Sequence, residues 1–571
     1  MSHDPKSHDP KIEHPSGQSE EAQPAAVSRR FFLTGAGVAS VAAAASPLSV
    51  ERQARAATPD GTPEQIHLTF GADPASEVVV SWASPAQAVN PRVHVGESHG
   101  RGRTVHAVQR TYTDGLNGQT VFTYHARLDG LRADTLHYYV VTADNDSNAA
   151  QPFAASFRTA PRGRAAFRWT SYGDLATPNT AWVLSSAQAK FAVPAVERFA
   201  PLFHLLNGDL CYADLNPTAQ PATWTDYGNN VQPSAAFRPW MPCPGNHEIE
   251  FNNGPQGFTS YLTRFALPDN GTAFPGRWYS FRVGTALFIS LSADDVIYQD
   301  GGPFVSGPSA LTPAASTGNP PIEAGTSLYI NGYSGGAQTR WLEKTLREAR
   351  EDESIDWIIV QMHQDALSSS KTGNGSDLGL REAWLPLFEQ HGVDLVLCGH
   401  DHDYERSYPV HGFNRNAGFD AATGSTVDTR QPKPVVTAPK ADGTYDTTHG
   451  TIHLILGGGG TSAPLDVYGV DANNGLPQAK VITKPNRPAP GSTAGTFVRA
   501  PADAVEDAIW SAQRDPSTGY GIAVFDLDPD APNGKTTITI QYFHAPGADS
   551  TPNPNYELFE TVVLAKDRRR G

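Results

Sequence analysis

Five short segments between residues 173 and 402 constrain this chain more than anything else in it. They are Gly173-Asp174, Gly208-Asp209-Leu210-Cys211-Tyr212, Gly245-Asn246-His247-Glu248, Val360-Gln361-Met362-His363 and Gly399-His400-Asp401-His402. Four of them stand at the C-terminal ends of apolar runs of strand length, Phe167–Tyr172, Phe203–Asn207, Trp357–Met362 and Leu395–Cys398, and the Asn246 segment sits in a Pro/Gly-rich loop. Ala286–Leu291 reads as a further strand, and helices are expected at about 181–198, 336–351 and 378–391. That alternation predicts a layered α/β domain with central sheets. In open α/β sheets, sites collect at the C-terminal ends of the strands. Glycine ahead of Asp, Asn or His lets the backbone turn into such a site with no side chain in the way. A lone Gly-Asp is usually a turn, and a lone strand-end His is usually a satisfied core residue. All five segments in order, spaced by strand–helix units, are hard to reconcile with accident.

The rest of the chain divides around this block. Residues 62–160 alternate as strands, as in Ile66-His67-Leu68-Thr69-Phe70, with turn residues every ten or so positions. The run Leu128-Asp129-Gly130-Leu131 through Tyr138-Tyr139-Val140 resembles the late-strand signature of fibronectin type III-like sandwiches, which implies an N-terminal all-β sandwich. Ala160-Pro161-Arg162-Gly163-Arg164 reads as a linker into the α/β domain at 165–565. Long Gly/Pro/Ser-rich stretches near 300–332, 410–448 and 464–505 read as surface insertions. Strands return at Thr451–Leu456, Ile522–Leu527 and Thr536–Phe543.

Residues 1–56 read as a leader, polar at first with SHDPK repeated at 2–6 and 7–11. Ser28-Arg29-Arg30-Phe31-Phe32-Leu33 precedes an apolar Gly/Ala-rich run, and Ala54-Arg55-Ala56 offers a small-residue cleavage site. The pattern is that of a twin-arginine export signal, so the precursor is expected to meet the twin-arginine machinery. The mature protein is expected to be periplasmic, cell-wall-associated or secreted. No stretch after residue 60 approaches a membrane span.

The formal charge of -16 argues against a nucleic-acid or anionic-membrane partner, which would need a basic footprint. An anionic substrate must then be attracted locally, by a concentrated positive charge. The three cysteines, Cys211, Cys243 and Cys398, form no disulfide framework and read as small buried residues, with a Cys211–Cys243 bridge as the alternative.

The ordered set GD…GDxxY…GNHE…VxxH…GHxH resembles the calcineurin-like metallophosphoesterases, and within them the purple acid phosphatases. Gly208–Asp214 (GDLCYAD), Gly399–Arg406 (GHDHDYER) and Gly519-Tyr520-Gly521 are similar to that family's flanking text. The resemblance spans roughly 62–565 apart from the insertions. It implies a catalytic domain with a β-sandwich core flanked by helices, and two metal ions about 3.5 Å apart. Carried over by position, Asp174, Tyr212 and His402 would bind the first ion, Asn246, His363 and His400 the second, and Asp209 would bridge them. Many related enzymes carry a ligand His two residues after the first Asp. Here Ala176 stands there, and the Tyr212 phenolate favours Fe(III) beside a divalent Zn, Mn or Fe. Asp174, Asp209 and Tyr212 leave such a pair of ions a net positive charge with which to hold phosphate.

The activity so implied is acid phosphatase action on small phosphate monoesters, by in-line attack of a metal-bound hydroxide. His247 would bind phosphate or protonate the leaving oxygen, with Glu248 orienting it and Asn246 also facing the substrate. Alternatives are a phosphodiesterase or nucleotide hydrolase using the same metals, an exported alkaline phosphatase/phosphodiesterase of similar domain order, and a non-catalytic surface binding protein. Two departures stand out: Ala176 replaces the second glycine of GDxG, and Gln364–Gly379 lacks the histidine pair that plant members carry. In that stretch Asp365, Lys371 and Asn374 are polar, and read best as solvated loop residues. His204, His391, His449 and His453 lie off the motifs, and Gly457–Gly460, with no Lys-Ser/Thr behind it, reads as a turn at the site rim.

Overall fold

The computed structural model describes residues 59–98, 101–250, 253–254, 257–299, 333–412, 433–434, 439–462, 467–482, 487–488, 497–498 and 503–569. The leader at 1–56, the stretch at 300–332 and much of the other two insertions lie outside the described residues.

Eight strands form the N-terminal sandwich: β1 (Glu64–Phe70), β2 (Val78–Ser84), β3 (Arg92–Ser98), β4 (Arg101–His106), β5 (Val108–Thr113), β6 (Thr120–Leu128), β7 (Leu136–Thr142) and β8 (Phe153–Arg158). They pair as two four-stranded sheets, β1-β2-β6-β5 and β4-β3-β7-β8. Inward residues such as Trp82, Val93, Tyr124 and Val141 are buried between them.

The α/β unit is two larger sheets packed face to face. In the first, β9 (Phe167–Tyr172), β10 (Phe203–Asn207) and β11 (Trp240–Cys243) run parallel beside the long antiparallel ribbon 521–567. In the second, β12 (Tyr279–Val283) pairs with β13 (Ala286–Ser290). The parallel run β13, β14 (Trp357–Gln361), β15 (Leu395–Cys398) and β16 (Ile452–Leu456) follows. These strands read as unbroken apolar runs because both faces are covered. Aromatic side chains fill the space between the sheets: the Trp169 ring meets Phe288 edge-on at 5.3 Å and stacks on Phe525 at 4.7 Å. All the parallel strands end on the same side, which carries the five segments.

The helices differ from expectation in detail. The predicted helix at 181–198 begins only at Ala189, as α1 (Ala189–Phe199). The residues before it are held in a loop by side chains, with the Trp182 indole donating to Asp226 at 2.6 Å and the Val183 amide to Asn216 at 3.0 Å. A second helix, α2 (Gln220–Ala235), follows the Tyr212 segment, and α3 (Ala337–Glu351) matches the expected 336–351. The run at 378–391 is two helices, α4 (Leu378–Ala383) and α5 (Leu385–His391), divided at Trp384 ahead of Pro386. The described part of the late insertion is not merely superficial: 477–482 and 503–507 pair as strands and bury Ala479, Val481 and Ile482.

Candidate metal centre

Asp174, Tyr212 and His402 come from three separate turns and converge on one point. The Tyr212 hydroxyl donates to Asp174 Oδ1 at 3.0 Å, and His402 Nε2 lies 3.0 Å from the phenol oxygen and 3.2 Å from the same Oδ1. Asp174 and Tyr212 have no exposed surface. Burial, then the Asp174 and Asp209 carboxylates, push the Tyr212 phenol well above its ordinary range. A strongly charged cation at the convergence point would reverse that balance.

The second group lies beside the first. Asp209 Oδ2 is 3.0 Å from His363 Nε2, which is 3.3 Å from His400 Nδ1. Ligand-type atoms of Asp209, His363 and His400 all fall within 4.8 Å of one another. His363 Nδ1 donates to the Asn207 carbonyl at 2.7 Å, which fixes the ring and turns Nε2 into the cluster. Burial raises the Asp209 carboxyl, but the His363 and His247 imidazoles outweigh it and hold it below the ordinary range. The reciprocal effect raises His363: burial pushes it down, and the Asp209 and Asp174 carboxylates push it up to about 10. The side-chain oxygen of Asn246 is buried with no hydrogen-bond partner. An amide oxygen left bare inside the protein, one residue before the His247 amide that donates to Asp209 Oδ1 at 3.0 Å, fits a cation better than it fits a closed core.

The backbone is contorted around these groups. Asp174, Asp209, Tyr212 and His400 all take positive φ, at 57°, 49°, 56° and 68°. Non-glycine residues rarely do so, and such strain gathers where the surroundings over-determine a functional geometry. Gly399 admits the close approach: a Cβ there would lie 2.4 Å from Asp174 Oδ2. The run Gly457–Gly460 is part of the same frame, since the Gly460 and Thr461 amides both donate to the Asp174 carbonyl at 3.0 Å.

His247 is oriented by a different residue from the one expected. Its Nδ1 lies 2.9 Å from both carboxylate oxygens of Asp214, and its Nε2 points toward the cluster, 3.9 Å from Asp209 Oδ2. Burial lowers the ring, and Asp209 and Asp214 more than offset this, raising it to about 10. Glu248 gives both its oxygens to backbone amides and not to the His247 ring. Its two oxygens accept the amides of Asp209 and Leu210 at 2.9 Å and of Gly245 at 2.7 Å, tying the Asp209 and Asn246 segments together. Asp214 stood within GDLCYAD but carried no assigned role, and only a turn after Tyr212 brings it to His247.

Residues of the 364–379 stretch are not the solvated set expected. Asp365 is buried, Lys371 Nζ donates to Gln478 at 2.6 Å, and the Asn374 amide donates to the carbonyl of His400 at 2.6 Å. The three cysteines are buried and free, so the Cys211–Cys243 bridge does not form. His204 and His453 are buried in the core and His391 lies at a helix end, none of them among the clustered groups.

Comparison with known proteins agrees with this arrangement. Residues 63–159 match the model of the purple acid phosphatase N-terminal domain, and 187–404 that of the calcineurin-like phosphoesterases. An uncharacterized protein of Mycobacterium tuberculosis is 40% identical over 578 residues, covering 96% of this chain and 98% of its own. A phosphoenolpyruvate phosphatase of Allium cepa is 28% identical, over 66% of this chain and 68% of its own length. An Fe(3+)-Zn(2+) purple acid phosphatase of Arabidopsis thaliana is 26% identical, over 61% and 66%. The fold is that of a purple acid phosphatase from yellow lupin seeds, with a TM-score of 0.57, 18% identity and coverage of 89% of this chain and 75% of that one. With a matched sandwich, a matched catalytic segment and the clustered strand-end groups, the chain belongs to the purple acid phosphatase family of calcineurin-like phosphoesterases.

Proposed function

We propose that this chain is an exported acid phosphatase that hydrolyses small phosphate monoesters at an Fe(III)–divalent metal centre. The observation that carries the reading is the convergence of Tyr212, Asp174 and His402 on one buried point, next to a second cluster of Asp209, His363 and His400. In this reading Asp174, Tyr212 and His402 would hold the ferric ion. Asn246, His363 and His400 would hold the divalent ion, Zn, Mn or Fe, with Asp209 shared between the two sets. Bound there, the two ions supply an activated water nucleophile and positive charge for the phosphoryl oxygens.

The protein's own groups do the rest. His363 is pinned through Nδ1 to the Asn207 carbonyl, so the second cluster keeps its shape between turnovers. Glu248 fixes the Asp209 and Gly245 backbones, which sets the separation of the two halves. Asp214 accepts the hydrogen bond from Nδ1–H of His247 and so directs Nε2 into the site, where the imidazolium gives its Nε2 proton to the departing ester oxygen. Asn246 adds a neutral oxygen and no negative charge, so the centre keeps its pull on an anionic ester. Export rests on the Arg29-Arg30 leader, and delivery of a folded protein would let the metals be loaded before it leaves the cell.

Metal analysis and a visible absorption spectrum of wild type beside Tyr212→Phe test the centre, and rates on a simple phosphate monoester and diester test the substrate class. Iron-free protein with no visible band would sink the ferric assignment. A faster diester rate would sink the monoester assignment.

A further inference from the structure

His400 occupies a strained position in the centre, and the structure shows what holds it there. Its φ is 68°, and the Asp401 amide donates to the Gly399 carbonyl at 2.9 Å, closing a tight turn centred on His400. Three-residue turns with a positive central φ are rare because they are strained. Left alone, the segment would relax and carry the imidazole away.

Two residues outside the ligand set oppose that relaxation. The Asn374 side-chain amide donates to the His400 carbonyl at 2.6 Å, and its oxygen accepts from Gln299 Nε2 at 3.0 Å. The Asp401 carboxylate, buried between the two histidines of the motif, accepts the amide of Asn374 at 2.7 Å, the amide of Gly375 at 2.9 Å and the Ser368 hydroxyl at 2.6 Å. The loop making these contacts is itself braced from behind. Lys480 donates its backbone amide to the Ser370 carbonyl at 2.8 Å and its ammonium to the Gly373 carbonyl at 3.0 Å. Ser376 and Asp377 pair with Val481 and Ile482 of the late insertion. Asp401 is hemmed in on both sides, since a Cβ on Gly373 would meet its Oδ1 at 2.6 Å and one on Gly457 its carbonyl at 2.0 Å.

We propose that Asn374 and Asp401 are positioning residues that clamp the strained His400 turn, so that the late insertion sets the affinity of the second metal ion. The inference rests on the reading of His400 as a ligand of that ion. Asn374 acts directly on the His400 carbonyl, and the Asp401 carboxylate acts one step back, by holding the Asn374–Gly375 backbone in place.

The test uses the full-length iron-containing enzyme with its divalent site emptied by mild chelation, titrated with Zn(II) by calorimetry. Asn374→Ala and Asp401→Asn are compared with wild type. Loss of a partner that orients a ligand typically weakens metal binding about 10- to 100-fold. Zn(II) affinity is therefore expected to fall about 10- to 100-fold, with the tyrosinate–iron band close to wild type and the melting temperature lowered by no more than a few degrees. Unchanged Zn(II) affinity in both variants would overturn the clamp. So would joint loss of the iron band and of Zn(II) binding, which would mark general collapse. Wild-type enzyme that takes up no Zn(II) would instead defeat the two-ion reading itself, and the clamp with it.

Discussion

Replacing Gly399 by alanine tests whether the two halves of the centre depend on a single bare backbone position. The added Cβ would sit 2.4 Å from Asp174 Oδ2, 2.7 Å from the Asn207 carbonyl and 3.0 Å from His363 Nδ1. Ordinary contact begins near 3.4 Å, so the Asp174 carboxylate must withdraw by about 1 Å. It has nowhere to go: Oδ1 is held by Tyr212 and Oδ2 accepts the His400 amide at 3.0 Å. On the opposite side His363 is pinned to the Asn207 carbonyl, itself one of the colliding atoms. Overpacking of this kind costs about 1–3 kcal/mol, a shift of only about 1–3 °C in melting temperature for a chain of this size. Misplacing a reacting group by about 1 Å costs about 100-fold in rate. Gly399→Ala is therefore expected to fold, to melt a few degrees lower, and to lose about 100-fold in kcat on p-nitrophenyl phosphate with metals in excess. Turnover equal to wild type, with both ions retained, would refute the argument that this glycine is required for close approach.

Other expectations follow from the same geometry. Tyr212→Phe should lose the visible absorption band while melting within a few degrees of wild type, because only a hydroxyl is removed from a buried ring; absorbance and calorimetry read both. Asp214→Asn should slow esters with poor leaving groups by about 10²-fold or more and activated aryl esters much less, since general-acid help is worth about 10²–10⁴-fold when the leaving group needs a proton; a leaving-group series of rates decides it. Glu248→Gln removes one of two acceptor oxygens serving three amides, and should cost about 1–3 kcal/mol in urea unfolding. The buried His125, bonded to Ser81 and the Thr263 carbonyl, is held neutral by burial, which pushes it down to about 3. Between about pH 6.5 and 3 the unfolded chain therefore binds a proton that the folded chain refuses, and stability falls as pH falls through that window. His125→Gln should shift the acid-unfolding midpoint, followed by tryptophan fluorescence, to lower pH.

The clustering of the centre was legible because its groups sit at the ends of apolar strands, where two parallel runs must terminate together. Asp214 was not legible: its pairing with His247 depends on the left-handed turn at Tyr212, which no spacing rule encodes. Glu248 was misassigned for a related reason, since adjacency in Gly245-Asn246-His247-Glu248 says nothing about which way a short turn sends successive side chains. Helix α2 escaped notice because its sequence carries Pro221, Gly228, Pro233 and several Asn and Thr residues, all poor helix formers. It is kept helical by what it buries, Trp224, Tyr227 and Val231. The loop before Ala189 looked helical by pattern, but Asp226 and Asn216, far along the chain, bind its indole and amide first.

The N-terminal sandwich bears on this in a way its lack of reactive groups conceals. On β1 the amide of Ile66 donates to Gln232 of α2 at 2.9 Å, and Leu68 bridges to Pro239, which leads directly into β11. Residues of the sandwich and of the catalytic sheets belong to one continuous core. The sandwich is therefore a wall of the building and not an annex. Cutting the chain at the linker would strip α2 of its packing surface and loosen the strand that delivers Asn246. A fragment starting near residue 165 should be insoluble or metal-poor, and exchanging this sandwich for a relative's would require its β1 face to be rebuilt to match α2.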